Sequence, residues 1–431
     1  MLHSLQKPFT FHADFFMPPN RETSYRGVLT NSPGQGVFLE LYDLPMSQDS
    51  NYKFPIICGR FNKEPYTFTL INVVSFGSSF SGNPDGLTHT TKLWVTQCLL
   101  GKQILNTDEL VFNQIGCEYS NLREWINEES IITKYIEEGH PTKFLSLPDI
   151  KGSLDNSFDF SIQRINAGSY AGKSFEISIS QVVTFNIVSK ENKLLPLENF
   201  LQLNTIIKYF FMFMQNAYVA EESIFCKKDS ENIVVDVIQF LSRKATLKKL
   251  KNSDFKYPYS RISMKFERLI QKWIEKYKEM PDFFHSFFEN VINEHLLPYD
   301  RFENLVQALF FYYNYKFDDT RSTKKEYDAF FTKMRDKLDN DEKEFVDRFR
   351  GMGNQLSMKS QLEKIFLQLE FWKANPSKYK TYIDQILEVR NRIAHSTENV
   401  SNQTIMDANN MSHNLTSFIS SLILFEIKYY D

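Results

Sequence analysis

Arg390, Asn391 and His395 lie in the run Leu387-Glu388-Val389-Arg390-Asn391-Arg392-Ile393-Ala394-His395-Ser396-Thr397. An RNA backbone can be cut without a metal when its own 2′-hydroxyl attacks the adjacent phosphate. That reaction needs a proton acceptor for the hydroxyl, a proton donor for the leaving 5′-oxygen, and positive charge on the phosphorane. Histidine can take either proton role near neutral pH. A guanidinium stays charged and forks onto phosphate oxygens. Arg390 and His395 are therefore a sufficient minimum, and Asn391 is available to orient the substrate or the histidine.

Spacing alone does not bring the pair together. Five residues on a straight helix turn through about 140°, so Arg390 and His395 converge only if the helix ends or distorts near Ala394. The polar segment from Ser396 to Asn402 permits that ending. The same residues also suit an ordinary helix terminus, with Arg390 near the last carbonyls and His395 closing the helix.

The elements that must position these residues fall into two halves. At 431 residues the chain exceeds the size at which a single core stops growing. Its 42% hydrophobic content, with 40 Phe and 21 Tyr, supplies more than one core. From about residue 20 to 190 the apolar pattern alternates. Tyr66, Phe68, Leu70, Val74 and Phe76 share one parity, and Val37-Leu39-Leu41, Phe158-Phe160-Ile162 and Phe175-Ile177-Ile179 repeat it. Turns are marked by Ser32-Pro33-Gly34 and Asn83-Pro84-Asp85-Gly86. The expectation is an antiparallel sandwich or open barrel, with a helix over Asn121 to Glu138 packed on the sheet.

Near residue 197 the period lengthens. Phe200, Leu203, Ile207, Phe210 and Met214 step by threes and fours, and beyond about residue 262 nearly every stretch is helical. Asn232 to Leu241 reads as strand or helix. The fold class is α+β: a β-rich half over residues 1–195, a connecting helix and basic linker over 196–261, and an all-α bundle over 262–431.

Charge and composition exclude several functions. Fifty basic against 53 acidic residues give a net −3, so no global positive field marks a nucleic-acid binder. A local one remains in residues 241–261. There Arg243, Lys244, Lys248, Lys249, Lys251, Lys256 and Arg261 face a single acid, Asp254, with Phe255, Tyr257 and Tyr259 interleaved. Cations for phosphates and rings for bases would make an RNA surface. A solvated linker accounts for the same composition.

Cys58, Cys98, Cys117 and Cys226 are too scattered for a zinc site or a disulfide framework, and are expected as reduced thiols in the cytoplasm. No phosphate loop or GxGxxG appears, so neither metal nor cofactor is expected. The opening residues lack the charged head and apolar run of a signal peptide. The most apolar stretch, Tyr209 to Met214, is far short of the roughly 20 residues a membrane span needs.

In an all-helical C-terminal setting, Arg390-Asn391-x-x-x-His395 resembles the R-x4-6-H signature of HEPN domains. The whole layout is similar to the ApeA family of bacterial anti-phage proteins, including Tyr25-Arg26-Gly27-Val28-Leu29 and Leu122-Arg123-Glu124-Trp125. The resemblance implies a metal-independent endoribonuclease of the abortive-infection kind, acting on RNA, with tRNA as one candidate. Arg390, Asn391 and His395 would be catalytic and Arg392 would contact RNA. It also implies a homodimer whose two HEPN sites line one cleft, and a β-rich half that responds to a phage protein. Related domains tend to carry a glutamate at about the place of Phe310, so Glu303 or another residue would have to supply that carboxylate.

Two other classes fit parts of the sequence. A non-catalytic RNA-, nucleotide- or protein-binding module would depend on the basic stretch and not on His395. A carbohydrate-active enzyme built on the β-rich half lacks a recognisable carboxylate pair.

Overall fold

A computed structural model describes residues 7–45, 52–61, 67–83, 86–127, 131–132, 143–144, 147–170, 177–231, 233–239, 249–293, 295–317, 324–353, 356–395 and 400–430. Two compact units divide the chain, Met1–Gln271 and Lys272–Asp431.

The first unit begins with six strands: β1 Phe9–Phe16, β2 Tyr25–Ser32, β3 Gly36–Tyr42, β4 Lys53–Phe61, β5 Thr67–Asn83 and β6 Gly86–Leu100. β1 pairs with β2 and β4, β2 with β3, β3 with β6, β6 with β5, and β5 with β4, all antiparallel. The ring is closed, so the expected open barrel is shut at this end of the sheet, which removes free edges. Phe15, Leu29, Leu39, Leu41, Phe68, Leu70 and Leu93 are fully buried. Gly59 lies opposite Phe68 across β4 and β5, and a Cβ at that position would collide with the ring. The alternation of Phe68 and Leu70 does not carry on to Phe76: past Ile71 and the left-handed Asn72 (φ 52°), Val73 is fully buried and Val74 is 39% exposed. Phe76 and Phe80 are 57% and 56% exposed on the outer part of the hairpin.

The sheet continues beyond β6. In chain order follow β7 Val111–Phe112, β8 Gln114–Tyr119, α1 Leu122–Ile126, β9 Ile131–Ile132, β10 Lys143–Phe144, β11 Ile150–Ser153, β12 Phe158–Tyr170 and β13 Ile177–Ser189. Then come β14 Leu195–Pro196, α2 Leu197–Gln215, β15 Glu221–Lys228 and β16 Ile233–Gln239. β16 joins β6, and the order runs outward through β15, β8, β13 and β12 to β11. Residues 233–239, ambiguous by sequence, are thus a strand, and the span 196–261, expected as a connector, contributes α2, β15 and β16 to this unit.

Two local expectations are corrected. The helix expected over 121–138 stops at Ile126: Asn127 adopts the left-handed conformation (φ 52°, ψ 33°) and its N–H returns to the Arg123 carbonyl. Ile131–Ile132 is a short strand paired with Lys143–Phe144. The amphipathic stripe on α2 is only part of its apolar surface, since Leu201, Ile206, Phe211 and Met212 are buried along with Phe200, Leu203, Ile207, Phe210 and Met214. A helix apolar all round belongs inside a core. Trp125 anchors it there, with Phe211, Tyr259 and Phe266 around the ring at 5.4 to 5.9 Å and Nε1 donating to the Tyr257 carbonyl at 2.8 Å.

After α3 Tyr259–Ile262, α4 Phe266–Glu279 crosses the boundary between units. The second unit continues with α5 Pro281–Ile292, α6 Pro298–Lys316, α7 Lys324–Arg335, α8 Asn340–Gly353, α9 Met358–Phe366, α10 Glu370–Lys373, α11 Pro376–Ala394 and α12 Asn402–Glu426. Proline opens α5, α6 and α11, where a missing N–H costs nothing. α6 packs on α5, α9 and α12, and α11 packs on α9 and α12. Leu305, Leu309, Leu362, Ile365, Ile383, Ile386, Leu415 and Leu422 fill the space between them, and Phe366 stacks on Phe418 at 4.0 Å. Among the described residues no helix is long and apolar enough to cross a membrane.

Candidate functional site

α11 carries the residues singled out by sequence. Its inward stripe, Tyr379, Ile383, Ile386 and Val389, is buried at the spacing of one helix face. The helix ends where convergence of Arg390 and His395 requires it to end. Ala394 is its last residue, and His395 caps it with φ −99° and ψ 5°, its N–H donating to the Asn391 carbonyl at 3.0 Å. His395 and Asn391 are exposed.

Arg390 follows Val389 and is half-buried. It lines a groove of about 240 Å³ with Glu303, Val306, Gln307 and Phe310 of α6 and Met358 of α9. Among the described residues the side chains of Arg390 and Glu303 make no hydrogen bond or ion pair. A guanidinium left unpaired in a groove is positioned to take an anion. Glu303 and Phe310 line the same groove, and no ion pair joins Glu303 to Arg390. His395 and Asn391 are not among the residues that line this groove.

Arg392 is used differently from its neighbour. Its Nη2 donates to Asp407 Oδ2 on α12 at 2.7 Å, and Gln403 Nε2 donates to the other oxygen at 2.9 Å. The Arg392 hydrogen bond holds the Asp407 carboxyl below the usual carboxylate range. Arg392, expected as an RNA contact, ties α11 to α12 through this bond. Ser401 caps α12 by accepting from Thr404 N–H at 3.2 Å, which fixes where the chain resumes.

The basic stretch belongs to the first unit. Arg243, Lys244 and Lys248 lie outside the described residues. Lys249, Lys251 and Lys256 are exposed. Lys256 sits 5.4 Å from the Tyr257 ring centroid, and although the residue as a whole is exposed, partial desolvation of its ammonium lowers its pKa. The interleaved aromatics do not form a platform for bases. Phe255 and Tyr259 are core residues, and Tyr257 stacks on Phe213 at 5.6 Å. Lys249 also borders a cavity of about 330 Å³ that includes Glu118, Glu124 and Glu222, so its surroundings are mixed in charge.

All four cysteines are free and buried. Among the described residues no group of three or more His, Cys, Asp or Glu is placed to hold a metal ion.

Comparison with protein families places residues 11–273 in ApeA N-terminal domain 1 and residues 303–426 in the Apea-like HEPN domain. No curated protein and no solved structure matches the chain. The first match spans well over half of the sequence and ends within two residues of the first unit; the second runs from Glu303 to Glu426 and contains the whole of α11. The chain belongs to the ApeA family, with an ApeA N-terminal domain followed by an Apea-like HEPN domain.

Proposed function

We propose that this protein is a cytoplasmic, metal-independent endoribonuclease effector of anti-phage defence. The observation that carries the reading is the Arg390 guanidinium, unpaired among the described residues, in a groove beside Glu303, on a helix that ends at an exposed His395 within the HEPN segment. In the reaction, a bond forms between the 2′-oxygen and phosphorus while the bond from phosphorus to the 5′-oxygen breaks. The products are a 2′,3′-cyclic phosphate and a free 5′-hydroxyl. His395 carries the proton from the 2′-hydroxyl or delivers one to the 5′-oxygen, Arg390 binds the charge on the phosphorane, and Asn391 orients the substrate.

In this reading the complete site is composite. Two HEPN domains facing each other supply two Arg-His sets to one cleft, and the two histidines divide the acid and base roles. The N-terminal domain holds this activity in check until a phage protein engages it.

The test is cleavage of cellular RNA by the purified protein in the presence of a chelator, with mapping of the RNA ends. Arg390→Ala and His395→Ala should each lower the rate by about 10²- to 10⁴-fold, and the wild-type products should carry cyclic phosphates. Unchanged cleavage in both variants removes these residues from the chemistry. RNA binding that is lost on neutralising Lys249 and Lys251, in a protein that cuts nothing, favours the binding-module reading instead.

A further inference from the structure

The groove that holds Arg390 presents more than a guanidinium. α6 lines it with Glu303, Gln307 and Phe310, which step by four and three and so stand in a row on one side of the helix. Glu303 and Gln307 are exposed and Phe310 is half-buried. Among the described residues the Glu303 carboxylate, the Gln307 amide and the Arg390 guanidinium make no hydrogen bond or ion pair, and the Phe310 ring meets no other ring. Val306, 3% exposed, and Met358 of α9 supply the apolar lining.

Such a row is suited to one planar base. Pockets for drug-sized ligands run to roughly 300–1,000 Å³, and the groove, at about 240 Å³, suits a single ring system. An aromatic wall stacks on any base, so selection falls to the polar pair. The Glu303 carboxylate is an acceptor only, with two oxygens side by side. Guanine alone among the RNA bases carries two adjacent donors, N1–H and the N2 amine, on its Watson–Crick edge. Adenine and cytosine set one donor beside one acceptor, and uracil sets its donor between two carbonyls. The guanine O6, next to N1, then needs a donor one step along, and Gln307 is the amide one helical turn from Glu303. A lone carboxylate would repel the phosphate; Arg390 lines the same groove, and no second acid does so among the described residues.

We propose that the Arg390 groove is a guanine-specific base subsite, so that the enzyme cuts RNA beside guanosine. Glu303 accepts from N1–H and the N2 amine, Gln307 donates to O6, Phe310 stacks on the base, and Arg390 holds the adjoining phosphate. The inference rests on the ribonuclease reading, in which Arg390 binds the reacting phosphate. It makes Glu303 and Gln307 residues that determine specificity, with no part in proton transfer.

The experiment compares wild type, Glu303→Gln and Phe310→Leu in the full chain. Glu303 is exposed, so Glu303→Gln should unfold at the wild-type temperature. RNA ends cut from a pool of random sequence should show guanosine at one fixed position beside the break, with kcat/KM about 10- to 100-fold above adenosine there, the discrimination of one bidentate pair. Inosine, which lacks the N2 amine, should fall between them. An amide offers one donor beside one acceptor and matches adenine or cytosine, so Glu303→Gln should erase the guanosine preference and turn it toward those bases, whatever the overall rate. Phe310→Leu should raise KM for every base by a similar factor and leave the preference intact. Calorimetric titration with guanosine and adenosine 5′-monophosphates reads the groove without cleavage: the wild type should bind the guanosine form about tenfold tighter, and Glu303→Gln should not. Cleavage without guanosine preference, or with a preference that Glu303→Gln leaves intact, overturns the subsite and leaves the ribonuclease reading standing, even if the free guanosine nucleotide binds. Absence of any cleavage by the wild type overturns the ribonuclease reading and the groove's role toward a substrate, and equal binding of the two mononucleotides overturns the guanine site whether or not the protein cuts.

Discussion

Arg392 and Asp407 are joined by a 2.7 Å hydrogen bond between α11 and α12, while Arg390, two residues earlier on the same helix, has no hydrogen bond or ion pair among the described residues. Arg392 spends Nη2 on the carboxylate of the next helix, whereas among the described residues Arg390 keeps its whole fork in the groove.

The first prediction separates the two roles by stability and pH. Arg392→Ala should destabilise the HEPN unit by about 1 kcal/mol, the scale of a partly exposed pair with good geometry, and Arg390→Ala should leave the unfolding temperature unchanged. Asp407 has a lowered pKa in the folded state, so the pair's contribution is complete above the unfolded value near 3.8 and fades as pH falls through the lower folded value. Calorimetry of wild type and Arg392→Ala should give unfolding temperatures that differ at pH 7 and converge below the ordinary carboxylate range. A gap that persists in acid would mean that packing, and not the ion pair, holds the helices.

In the N-terminal domain Lys208 and Glu221 make a buried pair at 3.0 Å, with side chains 16% and 4% exposed. Asn204 Nδ2 donates to the second carboxylate oxygen at 2.7 Å and itself accepts from the Tyr119 hydroxyl at 2.6 Å. Lys208→Met strands a buried carboxylate and should cost about 3–5 kcal/mol. Adding Glu221→Gln removes the stranded charge and keeps an acceptor for Asn204, so the double variant should regain at least half of that loss in urea unfolding. A double variant no more stable than Lys208→Met would place the penalty in lost lysine packing.

Periodicity made the strands, the long helices and the end of α11 legible, because each follows from residues within a turn or two of one another. Period says which face is buried and not which strand lies alongside, so the closure of six strands through β5 and β6 was out of reach. The helix expected after Asn121 failed on one residue, Asn127, whose left-handed backbone ends it despite the helix formers that follow. The tie of Arg392 to Asp407 was out of reach because the partner lies on the next helix, beyond residues 396–399. Glu303 was weighed only as a substitute for a missing acid; its place beside Arg390 depends on how α6 and α11 both pack on α9. The aromatics of residues 255–259 looked like a surface because charge surrounds them, yet Phe255 and Tyr259 are needed in the core.

The cysteines should be inert in the native protein. Burial pushes the Cys58 thiol up to about 11, and desolvation raises the pKa of Cys98, Cys117 and Cys226 as well. Thiolate is the reactive species, so a disulfide reagent at pH 8 should label none of the four within minutes and all of them in urea. Fast labelling of one thiol in the native protein would show a local opening at that strand.

The sharpest test of Arg390 is its replacement by lysine. If the residue only supplied positive charge, Arg390→Lys would keep most of the cleavage rate. A lysine is a compact point charge on a flexible stem and cannot hold two oxygens of a phosphorane in one plane. Its ammonium would also be free to turn toward Glu303, which lines the same groove. Arg390→Lys should therefore keep the fold and RNA affinity yet lose about 10- to 100-fold in kcat, less than the alanine variant and far more than Arg392→Lys. Glu303→Gln in the Arg390→Lys background should restore part of the rate if the carboxylate diverts the lysine. Full activity in Arg390→Lys would show that the fork is not used, and the positive charge at this position would then belong to RNA binding alone.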